Sequence, residues 1–199
     1  MTDQPLPLPG LSPMSSTDEQ TIEQQLGRQP RGVVGVAWRC PCGCPGVVAT
    51  EPRLPQGTPF PTTYYLTCPR AVSAVSTLEA SGLMAEMTAR LGQDEQLAAA
   101  YRAAHESYLA DRSALGHVPE IEGISAGGMP TRVKCLHVLV GHALAKGPGV
   151  NPLGDEALAA LGADWHPRCC SGVHDPDATA DLIGADQPDA QHQTPGGGA

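Results

Sequence analysis

The stretch Met129-Pro-Thr-Arg-Val-Lys-Cys-Leu-His-Val-Leu-Val-Gly-His-Ala-Leu-Ala-Lys146 gathers a thiol, two imidazoles and three cations. Cys135, His137 and His142 are residue types that bind zinc or activate a nucleophile. Read as a helix from Pro130 to Lys146, the stretch does not let all three meet. At about 100° per residue, His137 lies about 200° round from Cys135. His142 returns to the Cys135 face roughly 10 Å further along the axis. On regular helical geometry one ion cannot take all three.

The beginning of that helix is the sharper candidate. Gly127 and Gly128 permit close backbone approach, and a helix start offers free N–H groups and a positive dipole end. Arg132 and Lys134 fall in the first turns, and no Asp or Glu occurs between Gly123 and Gly154. Cations are unfavourable at a helix N-terminus. Two of them there point to a small anionic ligand, a phosphate or carboxylate, held by Gly127, Gly128, Arg132 and Lys134. The alternative is pairing with Glu120, Glu122 or another acid across the fold.

The remaining cysteines suggest a metal centre. Cys40, Cys42 and Cys44 sit on one tight turn, and the 40/44 gap suits zinc ligands. If the strands at 46–50 and 62–67 pair as a hairpin, Cys68 returns beside Cys44. Cys40, Cys68 and Cys135 form the candidate metal set, with Cys44 as a further ligand; such a site suits zinc or an iron–sulfur cluster. The alternative is thiols that only pack. Cys68 is also a candidate nucleophile, because it precedes Pro69 where a strand becomes a helix. His105, His137 or His142 would then be its base. His166, Cys169 and Cys170, beside Trp165, are weaker additional ligands.

These residues must be positioned by elements that the pattern outlines. A capped helix runs from about Ser16 to Leu26. Strands are expected at residues 33–38, 46–50 and 62–67. Pro69 opens a helix to about Ala80, followed by helices at 83–91, from 93–94 to 115, and at 155–161. The fold class is α+β, a small N-terminal antiparallel sheet of about three strands packed by several C-terminal helices. Residues 15–170 form one domain. Residues 1–14 and 171–199 are expected to be disordered tails, the latter acidic.

The chain carries a net charge of −9, with eight acids against one base from Asn151 onward. The first 150 residues are close to neutral, which argues against a nucleic-acid face. No apolar run is long enough to span a bilayer and no signal segment is visible, so a cytoplasmic location is expected. Seven cysteines in a reducing compartment fit core residues, metal ligands or reactive thiols better than disulfides.

Four segments carry a family resemblance. They are Arg39-Cys-Pro, Gly57-Thr-Pro-Phe-Pro-Thr with Tyr64-Tyr-Leu-Thr-Cys-Pro69, Ala100-Tyr-Arg-Ala-Ala-His-Glu106, and Gly127-Gly-Met-Pro-Thr-Arg-Val-Lys-Cys-Leu-His137 running on to Asp155. Together they resemble the domain-of-unknown-function family 501 of high-GC bacteria, over about residues 28–165. The resemblance implies no established activity. The turn with Cys42 and Cys44 departs from a family pattern closer to a single Cys-Pro. Three functions follow from the residues: a metal or anion-binding domain, a thiol-dependent enzyme using Cys68, and a protein-interaction module acting through the acidic tail or the helix after Gly128.

Overall fold

In the computed structural model the described residues are 6–162 and 165. Helix α1 (Ser16–Leu26) is capped by Ser15, whose hydroxyl accepts from the Asp18 amide while Asp18 returns the bond to Ser15. Strands β1 (Val33–Arg39), β2 (Pro45–Thr50) and β3 (Tyr64–Leu66) follow. They form one antiparallel sheet in the order β1-β2-β3. Then come α2 (Pro69–Ala80), α3 (Leu83–Leu91), α4 (Glu95–Leu115), α5 (Leu136–Lys146) and α6 (Pro152–Leu161), with short 3-10 turns at Pro119–Ile121 and Ala126–Gly128. Among the described residues no helix is long and apolar enough to cross a membrane.

Alternation along the strands divides the sheet's faces. Val47 and Ala49 of β2, opposite Leu66 and Tyr64 of β3, belong to the main core with α2–α6. Val48 points the other way and is buried, as are its neighbour Val36 and Ile22 of α1. Arg39 ties α1 to the sheet by donating to both carboxylate oxygens of Asp18 at 2.6 and 2.9 Å. That guanidinium holds the Asp18 carboxyl well below the usual carboxylate range.

The N-terminal segment differs from the expected tail where it is described. Ser12 exchanges two backbone hydrogen bonds with Val36, both 2.9 Å, and Leu8 is buried in the core. A proline-rich segment without apolar periodicity still pairs with the open edge of β1, which supplies the hydrogen bonds that such a segment cannot make within itself. The segment 171–199 lies outside the described residues.

Helix α5 is the centre of the helical layer. Seven of its residues, including His142, are buried, and it packs on β3, α2 and α6. Two glycines allow that packing. A Cβ on Gly141 would stand 3.0 Å from the Tyr64 carbonyl oxygen, and one on Gly154 of α6 would collide with the Leu139 carbonyl. The helix is six residues shorter at its start than the expected Pro130–Lys146. Residues before Leu136 are held in turns by bonds from elsewhere: Val133 N–H to Thr88 Oγ1 at 2.9 Å, Tyr101 O–H to the Arg132 carbonyl at 3.2 Å, and Lys134 N–H to the Gly127 carbonyl at 2.7 Å.

Candidate metal site at the start of helix α5

Cys135 is the residue immediately before α5 and is extended, with φ −155° and ψ 112°. Helical angles therefore do not separate it from His137. The Cys135 sulfur lies 3.9 Å from His137 Nδ1. Glu79, near the end of α2, places Oε1 3.1 Å from the same nitrogen. The ligand atoms of Glu79, Cys135 and His137 all lie within 4.8 Å of one another. The 200° separation expected for Cys135 and His137 is thus corrected, and its cause is the late start of the helix.

One face of α2 builds the His137 environment. Val72, Ser76 and Glu79 follow at i, i+4 and i+7, so they lie along one stripe. The Val72 carbonyl lies 3.2 Å from His137 Nε2, Ser76 Oγ lies 3.4 Å from it, and Glu79 faces Nδ1. The ring is thus turned so that Nε2–H donates to a carbonyl and Nδ1 points to sulfur and carboxylate. Glu79 Oε1 also accepts from the Leu136 amide at 2.6 Å. A carboxylate of this chain therefore takes a free amide of the observed helix start. In this arrangement the imidazole is pushed up to about 9, first by the hydrogen bond to Cys135 and then by Glu79, against partial burial.

Glu79 was not among the residues expected from sequence. It is the only acid on α2. The signal was a lone carboxylate seven residues after Val72 on a helix whose other residues, Arg70 apart, are small or apolar.

The other candidates are distributed as follows. Arg132 and Lys134 are exposed. The glycines at 127 and 128 have φ 79° and 93° and fold the chain back, accepting from Lys134 and Arg132 amides. Glu120 pairs with Arg53 at 2.7 Å, and Lys146 pairs with Asp111. Cys40 and Cys44 are buried at one end of the sheet, and the Cys40 and Cys42 sulfurs lie 2.7 Å apart. The β2–β3 pairing extends to Thr67 and Cys68, whose amides approach the Gly46 carbonyl at 2.9 and 3.3 Å. That brings Cys68 to the same end of the sheet, while Cys135 has His137 and Glu79 as neighbours. Cys68 is the N-cap of α2 and 1% exposed. His105 meets Ser125 Oγ at 2.9 Å, and burial pushes its pKa down. Trp165 packs against Trp38 with ring centroids 5.9 Å apart; His166, Cys169 and Cys170 lie outside the described residues.

His142 is a different kind of histidine. Its Nδ1 accepts from Asn151 Nδ2 at 3.3 Å, and its ring stacks on Tyr64 and meets Tyr108 edge-on. Burial pushes it down to about 4.

A family described as a protein of unknown function (DUF501) matches residues 36–159. The chain belongs to this family. The DUF501 match spans the sheet from within β1, α2–α5 and most of α6, and so includes Glu79, Cys135 and His137. No curated protein and no solved structure matches the chain.

Proposed function

We propose that this DUF501 chain binds a zinc-type metal ion through Glu79, Cys135 and His137. The observation that carries this reading is the orientation of His137. Metal-bound histidines commonly give their other N–H to a backbone carbonyl, which fixes the ring. His137 Nε2 faces the Val72 carbonyl at 3.2 Å, and Nδ1 faces the two other donors. A cysteine–histidine–carboxylate relay would instead need thiol and carboxylate on opposite ring nitrogens. Here both face Nδ1, so the arrangement suits coordination better than proton relay.

The spacing is compatible with one ion. Ordinary zinc bond lengths in a tetrahedron place N and O donors about 3.3 Å apart and N and S donors about 3.6 Å apart. The corresponding separations are 3.1 and 3.9 Å, and the sulfur and carboxylate oxygen lie within 4.8 Å of each other, so the three donors close on an ion by small side-chain adjustments. One sulfur, one nitrogen and one oxygen donor favour zinc over an iron–sulfur cluster, which takes thiolates. Three protein ligands leave a fourth position for water or substrate, the pattern of catalytic rather than structural zinc. In that role the ion would polarise a carbonyl or activate water. Glu79, Cys135 and His137 would hold it, with the Val72 carbonyl orienting His137.

Zinc titration of chelator-treated protein, followed by stoichiometry in native mass spectra, tests this reading. We expect a site that weakens in Glu79→Ala, Cys135→Ser and His137→Ala by more than the roughly 10–100-fold that losing an outer-shell partner costs. Zinc bound equally well by all three variants, or no zinc bound at all, would overturn it.

A further inference from the structure

A cavity of about 600 Å³ opens beside the site, with Cys135 and His137 in its wall. Its volume lies within the range of small-molecule sites. Leu26 of α1, Leu66 of β3, Val72 of α2 and Val138 of α5 make much of the rest apolar. Among the described residues, no Asp, Glu, Lys or Arg side chain lines it. Glu79 is on the other side of the trio, where it lines a shallow depression together with Arg132.

We propose that this cavity takes an apolar acyl compound whose carbonyl or carboxylate oxygen completes the metal's coordination between Cys135 and His137. The proposal rests on the metal reading above and adds the ligand class. The head group follows from charge. A dication held by a thiolate, a carboxylate and a neutral imidazole is neutral as a unit. With no cation in the cavity wall, a phosphate or pyrophosphate would bring two or more negative charges into an apolar space with nothing to offset them. A carbonyl or a monoanionic carboxylate can still donate an oxygen to the ion. The body follows from the walls, whose surface is mostly apolar, with Gln25, Thr62, Tyr65 and Ser73 among the polar exceptions.

The arrangement of elements is consistent with this order of head and tail. Cys135 and His137 line the cavity where the start of α5 packs on α2. Ser73, one residue beyond Val72, is exposed, while Leu26 ends α1 across the cavity. An acyl chain with its oxygen at Cys135 and His137 would lie along this lining, where Ser73 and Leu26 are positions at which a larger side chain would take up its space.

The test uses zinc-loaded full-length protein and straight-chain carboxylates from acetate to decanoate, read by calorimetry. Affinity should rise about fourfold for each methylene added until the cavity is filled. Alkylammonium ions of the same lengths should not bind. Ser73→Trp should flatten the chain-length series while zinc stoichiometry stays unchanged, and Leu26→Trp should do the same from the other wall if the first variant misfolds. A flat series on zinc-loaded wild type, or equal binding of carboxylates and ammonium ions, overturns this inference and leaves the metal reading standing. Failure of zinc to bind at the trio, measured on the same samples, sinks both.

Discussion

Helix α5 carries two histidines five residues apart, and its two regions treat them in opposite ways. At the start, His137 has a carboxylate, a sulfur and a carbonyl around it, and its pKa is pushed up to about 9. In the middle, His142 is fully buried between Tyr64 and Tyr108 and is pushed down to about 4. Residue type is the same and so is the helix. What differs is the neighbour: acceptors from α2 in one case, ring faces and the Asn151 amide in the other. The first ring can hold a proton or a metal ion; the second is a neutral part of the core that links α5 to Asn151, the N-cap of α6.

Substitution should separate the two regions most strongly. His142→Ala removes a large, fully buried side chain, and loss of about 3 kcal/mol is expected from the cavity it leaves. His137→Ala should cost about 1 kcal/mol or less in metal-free protein, because its pair with Glu79 is partly exposed. Urea denaturation of both variants checks the contrast, and metal stoichiometry should fall only in His137→Ala. A cost on the order of 1–3 kcal/mol is expected for Gly141→Ala, whose new Cβ would press on the Tyr64 carbonyl. An unchanged urea midpoint for that variant would mean α5 has room to move off β3.

The two regions also predict opposite pH limbs for metal-free protein. His137 is raised from 6.5 to about 9, so its contribution is complete below pH 6.5 and is lost as pH rises through 9. His142 is lowered from 6.5 to about 4, so stability is complete on its account above pH 6.5 and is lost as pH falls through 4. Each limb involves at most one proton. Urea midpoints across this range should lose the alkaline limb in His137→Ala and keep it in His142→Asn; the reverse pattern would exchange the roles assigned to the two rings.

Much of the fold was legible in the sequence because its signals are local. Ser15 to Asp18 caps α1, Pro69 opens α2, and β-branched and aromatic residues mark the three strands. The chemistry was less legible because it depends on contacts between distant residues. The Met129–Lys146 stretch reads as one helix from Pro130, yet Thr88, Tyr101 and Gly127 hold its first residues in turns. That delay lets Cys135 reach His137, which helical periodicity would forbid. Glu79 supplies the third donor from 58 residues away. Two cations at an apparent helix start suggested an external anion there; the helix itself starts at Leu136, whose amide donates to Glu79. In the same way, the β1 edge could not be seen to recruit Ser12 from composition alone.

The central claim is that Cys135, His137 and Glu79 act as one set of ligands while His142 does not. Cobalt(II) substitution tests it most directly, because a thiolate bound to cobalt gives a charge-transfer band and low coordination number gives intense visible bands. The account predicts one cobalt per chain with both signatures. The charge-transfer band should disappear in Cys135→Ser, the visible bands should weaken in Glu79→Ala and His137→Ala, and both should persist in His142→Asn. A charge-transfer band that survives Cys135→Ser with unchanged intensity would contradict it.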